Sequence, residues 1–182
     1  MLIAPQTIFL KDGRECLLRS PQAEDAAAVL AHLRQTSAET GFMARYPDEI
    51  TQTIAEEAAL LRRQGEDPLA LMAAAFVEGE LAANAGLAPV ARLDKYRHRA
   101  EFGISVKEAF WGQGIGSALL PVVIAAARAA GYLQIELEVV AENRRASALY
   151  ERFGFEDYGL RERSFRFRDG SFCAEKLMIL QL

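Results

Sequence analysis

Two short segments carry the residue types and spacing needed for chemistry. The first, Phe110-Trp111-Gly112-Gln113-Gly114-Ile115-Gly116-Ser117, lies between a strand-like run and a helical one. Glycines let the backbone turn tightly and approach a ligand, and the unpaired amides and positive end of a helix attract phosphate. The segment therefore reads as an anion cradle, against a plain alternative of tight strand-to-helix packing. It is not a Walker loop, because no Lys follows its last glycine. In the second segment Tyr150 follows Asn143 by seven positions, with small Ala146 between them. At 3.6 residues per turn these three fall on nearly one line of a helix, a face able to lie along a long ligand. The bland reading makes Asn143 an N-cap and Tyr150 a core aromatic.

The surrounding pattern supplies elements to hold both segments. Arg99 to Val106 reads as a strand, Gly114 to Ala130 as a helix closed by Gly131, and Gln134 to Val140 as a second strand, giving a β-α-β crossover. Pro121 falls inside that helix and predicts a kink. Asn143 starts a further helix that runs through Phe153 and ends at Gly154, and two strands surround Asp169-Gly170, a hairpin turn pair. Upstream, Thr7 to Leu10 and Glu15 to Arg19 flank the Asp12-Gly13 turn. Helices follow from Ser20-Pro21 to about Gln35 and over Thr51 to Gln64, and strands over Pro68 to Phe76 and Leu81 to Leu87. No repeat or linker divides residues 1–182, so one α+β domain on a mixed sheet is expected.

A chain of 182 residues with 51% hydrophobic and 25% charged residues has the profile of a packed globular protein. Its net charge of −4 argues against a nucleic-acid partner and fits a cationic one. The longest apolar run, Ala118 to Ala127, is too short to span a membrane, and Met1 to Lys11 lacks a basic leader. With two cysteines, Cys16 and Cys173, a reducing cytoplasm is the expected compartment, although counting alone leaves a bridge between them open. His32, on a polar helix face, and His98 are isolated, so no metal site is expected. Arg161, Arg163, Arg166 and Arg168 interleave with Phe165 and Phe167, which reads as a solvated hairpin face or as a subunit contact in a homodimer. A dinucleotide fingerprint is the weaker reading of the glycine turn: its third glycine comes one residue early, although Glu136 and Glu138 lie where a ribose-binding acid would.

Together the two segments resemble the GNAT superfamily of N-acetyltransferases, whose donor site has an R/Q-x-x-G-x-G/A turn followed by a strand and an Asn-to-Tyr helix. The resemblance covers Arg99 to Phe155. It implies a GNAT fold, a mixed and mostly antiparallel twisted sheet flanked by helices, with acetyl-CoA as cosubstrate and no metal. The turn amides of Gln113, Gly114, Ile115, Gly116 and Ser117 would hold the pyrophosphate, with Trp111 and Gly112 also in the cofactor-binding turn, and the strand at Ser105 and Val106 would pair with pantetheine. Asn143, Ala146 and Tyr150 would line the cofactor, with Tyr150 near its sulfur. Trp111 stands where the family has Arg or Gln. His98 to Phe102 and the chain's ending look like the branch containing spermidine N-acetyltransferases and ribosomal-protein N-terminal acetyltransferases.

The implied activity is acetyl transfer to a primary amine, a polyamine, amino acid or other small amine, by direct attack in a ternary complex. Such an amine must lose a proton and the departing thiolate must gain one. Tyr150 is the candidate acid. Glu101, on the strand before the cradle, and Glu39, in a loop expected to cover the acceptor cleft, are the candidate bases, each with a plain structural alternative. A protein N-terminal acetyltransferase and a non-catalytic acyl-CoA-binding module are the competing readings. Replacing Gly114 or Gly116 by Val is expected to abolish coenzyme A binding without unfolding the chain.

Overall fold

The computed structural model describes residues 1–182. Eight strands form one sheet: β1 (Gln6–Phe9), β2 (Glu15–Arg19), β3 (Leu71–Val77), β4 (Glu80–Pro89), β5 (Arg99–Val106), β6 (Gln134–Val140), β7 (Glu156–Arg166) and β8 (Phe172–Gln181). Their order is β1-β2-β3-β4-β5-β6-β8-β7, so β8 inserts between β6 and β7. All neighbours are antiparallel except β5 and β6. That parallel pair needs a crossover, supplied by α3 (Ile115–Ala129).

The strands alternate, and each face collects its own helices. Leu71, Ala73, Ala75, Ala83, Ala85, Leu87, Phe102, Ile135 and Leu137 join the main core, which holds α3 and the face of α4 (Arg144–Arg152) bearing Tyr150. On the opposite face α1 (Ala26–Glu39) and α2 (Ile54–Glu66) pack through Val29 and Leu61 on Ala74, Phe76 and Leu81. The alanines on β3 and β4 bring helices close on both sides.

Two sequence expectations change. α1 continues to Glu39, past the anticipated end at Gln35, and α2 starts at Ile54, with Thr53 as N-cap in a capping box with Glu56. α3 passes through Pro121 as one uninterrupted helix. Cys16 and Cys173 are both buried and free, so no bridge joins them. No helix is long and apolar enough to cross a membrane.

Candidate active site

The sheet opens at the site. β5 and β6 pair only from Arg99↔Gln134 to Glu101↔Glu136, beyond which they fork. Lys107 N donates to Ala82 O and Val90 N to Arg99 O, and antiparallel bonding alternates along a strand. The odd-numbered groups of β5, including those of Ser105, are therefore bound to β4. The amide and carbonyl of Ile104 and the amide of Val106 face the fork. This corrects the expected pantetheine contacts: Ser105 offers only its side chain, while Val106 keeps a backbone donor. The Val106 carbonyl is taken by the Trp111 indole, which donates to it at 2.7 Å.

Below the fork lies the cradle. A 3-10 turn, Glu108–Phe110, leads into Gly112 and Gly114, whose φ angles of +78° and +97° put them in the left-handed region that favours glycine. The amides of Gly112, Gly114, Ile115, Gly116 and Ser117 find no acceptor in the chain, and they lie at the positive end of α3. A side chain at Gly112 or Gly114 would point into open space. Gly116 differs, because a Cβ there would lie 2.9 Å from Leu149 Cδ2 on α4. Gly116 thus packs against α4, and a side chain there would have to displace the end of the Leu149 side chain. Gln113 is turned inward, its carbonyl accepting from Lys11 N and its Oε1 buried.

α4 forms the other wall. Asn143 is its N-cap, accepting from Ala146 N at 3.1 Å. Tyr150 is 6% exposed, stands edge-on to Phe102 with ring centroids 6.1 Å apart, and its hydroxyl makes no hydrogen bond within the chain. Burial pushes its phenol up, so it stays protonated. Lys11, Arg144, Arg145 and Arg152 also line the cleft. Arg145 lies 4.7 Å over the Trp111 ring, and Arg152 donates to Ser117 Oγ at 2.6 Å. These cations were passed over in the sequence, although the Arg144-Arg145 pair directly after the helix cap was a usable signal.

The same cleft, about 1750 Å³, continues through the fork to the α1 face. There Glu136 is held by Arg99 in two bonds of 2.5 and 2.7 Å, and Glu138 by Arg161 at 2.7 and 2.8 Å. Glu101 lines the cleft without a cationic partner. Glu101 is exposed on the cleft wall; partial desolvation there, then the Glu138 and Glu136 charges, raise its carboxyl. Glu39 is elsewhere: it ends α1, and its carboxylate accepts from the Glu108 amide at 2.8 Å and from Gln35. It props the turn leading to the cradle instead of sitting in a loop over the acceptor. The cover is the segment after α1, including Phe42, Met43 and Arg45. The β7–β8 turn pins that segment, since Arg168 binds Asp48 at 2.7 and 2.8 Å and stacks 4.0 Å over Tyr46. His32, expected on a polar face, is fully buried, with Nε2 2.8 Å from Ser105 Oγ. No three His, Cys, Asp or Glu side chains are grouped to hold a metal.

These features fit acetyl-CoA, with unpartnered amides and cations for the pyrophosphate and a free strand edge at Ile104 and Val106 for pantetheine. The pattern of the acetyltransferase (GNAT) family matches residues 28–155. An acetyltransferase of the GNAT family from Streptococcus pneumoniae is similar at 29% identity with a TM-score of 0.88, covering 92% of this chain and 99% of that one. A ribosomal-protein-alanine N-acetyltransferase from Brucella melitensis is 23% identical, with a TM-score of 0.80 and coverage of 91% and 99%. A phosphinothricin acetyltransferase from Sinorhizobium meliloti in complex with AcCoA is 22% identical, with a TM-score of 0.79 and coverage of 92% and 88%. The comparison with curated proteins gives no match. With the family pattern spanning the fork, the cradle and α4, the chain belongs to the GNAT family of acetyltransferases, enzymes that use acetyl-CoA.

Proposed function

We propose that this enzyme acetylates the primary amine of a small molecule by direct attack, with donor and acceptor bound together. One observation carries the reading: a single cleft runs from the cradle through the β5/β6 fork to an acid-lined chamber, with Tyr150 on one side of the fork and Glu101 on the other. Acetyl-CoA supplies an activated acetyl thioester. The amides of Gly112, Gly114, Ile115, Gly116 and Ser117 bind and orient its phosphates, and the Ile104 and Val106 backbone aligns its arm.

Glu101 is the general base of this proposal. An ammonium has no lone pair to attack with, so a proton must pass to Glu101 Oε directly or through water. Partial desolvation at the cleft wall and the neighbouring carboxylates move Glu101 upward, toward the amine it must deprotonate. Tyr150 Oη holds the complementary proton toward the departing sulfur. Its lack of any partner in the chain leaves that donor free.

A protein N-terminus also presents a primary amine, and the fold likeness to the ribosomal-protein-alanine enzyme supports that second reading. Product mass spectrometry after incubation with acetyl-CoA separates the two, using small amines in one arm and N-terminal peptides in the other. Acetylated small amines with unmodified peptides support the proposal; acetylated peptides alone contradict it. Coenzyme A binding without any product would identify a binding module.

A further inference from the structure

Two glycines face each other in the middle of the sheet. Gly86 of β4 pairs with Gly103 of β5, and Met72 of β3 pairs with Gly86 on its other side. Glycine weakens a strand interior, and where it stands there it marks a bulge, a bend, or the close approach of another backbone or a ligand. The first two do not apply, because β4 and β5 keep an unbroken register from Ala83↔Val106 to Pro89↔Ala100 and neither glycine has a positive φ. No other backbone approaches either, since a Cβ built on Gly86 or on Gly103 meets nothing within 4 Å. A ligand remains.

The open space lies on the acceptor side of the sheet. Ser105, two positions along β5, has its hydroxyl 2.8 Å from His32 of α1, and alternate residues share a face, so Gly103 and its partner Gly86 also open toward α1. Both line the cleft, as do Leu33 of α1, Met72 beside the pair, and Phe42 and Met43 of the cover. The pairs above and below, Asn84↔Ser105 and Ala88↔Glu101, carry side chains that bound the bare surface. Odd-numbered groups of β5 bond to β4, so Gly86 and Gly103 spend their amides and carbonyls on each other, with Cα atoms about 5.5 Å apart. What they offer a ligand is a flat surface the breadth of one six-membered ring, without a free donor or acceptor. The methionines beside it suit the same occupant, because a flexible thioether adapts to a ring and makes favourable sulfur–aromatic contacts.

We propose that the Gly86–Gly103 pair is a specificity platform for a flat apolar part of the acceptor, and that the preferred acceptor is a primary amine joined by a short link to an aromatic ring. The inference rests on the amine-acetylation reading above, with the reacting nitrogen at Glu101. Two residues of strand separate Glu101 from Gly103, roughly 7 Å. A nitrogen bound to the Glu101 carboxylate therefore reaches a ring over the pair through one or two carbons. A linear diamine covers less of the platform, and its second ammonium finds no partner there to offset its desolvation.

The test compares kcat/KM for 2-phenylethylamine, butylamine and 1,4-diaminobutane in wild type, Gly86→Val and Gly103→Val, with a thermal melt of each protein. Wild type should favour 2-phenylethylamine over either linear amine by about tenfold or more, the scale of the extra apolar surface a ring buries. In both variants that ratio should fall to about twofold or less. Their melting temperatures should stay at or above wild type, because valine favours strands and its Cβ meets no neighbour at either position. Ratios within one variant are insensitive to its folded fraction. No preference for the ring in wild type, an undiminished one in both variants, or a lowered melting temperature in both, which would mean that the chain itself uses the space, would overturn the platform. Absence of acetylation of all three amines would overturn the amine reading itself, and the platform with it.

Discussion

The indole Nε1 of Trp111 donates to the Val106 carbonyl at 2.7 Å, tying the glycine turn to the end of the strand that forms the fork. This side chain occupies the position where the family motif carries Arg or Gln, so a structural tie stands there in place of a charged contact. Its ring also carries Arg145 from α4.

Trp111→Phe should keep a ring under Arg145 and lose the bond to Val106. A net hydrogen bond of about 1 kcal/mol corresponds to roughly fivefold weaker coenzyme A binding by calorimetry. Unchanged affinity would mean that the turn holds its shape without this tie.

Gly114→Val forces a branched residue to φ +97° and should cost roughly 1–2 kcal/mol while blocking the cradle. Coenzyme A binding should disappear from a chain that still melts cooperatively. Gly116→Val should instead melt closer to wild type, because it has no positive φ and meets only the end of the flexible Leu149 side chain. Equal stability losses in the two variants would contradict this division of roles.

Tyr150→Phe retains the packing on Phe102 and removes a cleft-lining hydroxyl that has no partner in the chain. At saturating acetyl-CoA the single-turnover rate should fall by roughly 10²-fold, with cofactor affinity little changed. A near-wild-type single-turnover rate would remove Tyr150 from the proton path and leave water as the source.

His32 gives stability a defined pH dependence. Burial, then the Lys107 charge, lower its folded-state pKa from 6.5 to about 4, so between these values the unfolded chain binds more protons than the folded one. Stability should therefore fall as pH drops from about 6.5 to about 4, by on the order of 3 kcal/mol. Denaturant titrations of wild type and His32→Gln should show a flatter pH dependence for the variant over that window. Parallel curves would contradict a neutral, buried imidazole.

The crossover was legible because its signals are local. Arg99 to Val106 and Gln134 to Val140 match β5 and β6 residue for residue, and Asn143 caps α4 as read. The insertion of β8 between β6 and β7 depends on pairing between distant segments, which no window of sequence displays. Direction along a strand was equally hidden: the bonds from Lys107 to Ala82 and from Val90 to Arg99 show that Ser105 turns its backbone away from the fork. His32 was misread because its neighbours are mixed, although Val29, His32 and Thr36 follow helical spacing toward the sheet. Glu39 was misplaced with the end of α1, four residues beyond the expected stop at Gln35.

The most direct test mixes enzyme preloaded with one equivalent of acetyl-CoA with increasing amine and follows thiol release in a single turnover. The account predicts no thiol before amine is added, then one equivalent released at a rate that rises with amine concentration, matched by one equivalent of N-acetylated product. Thiol release before amine addition, or at a rate independent of amine, would contradict direct attack between two ligands meeting at the fork.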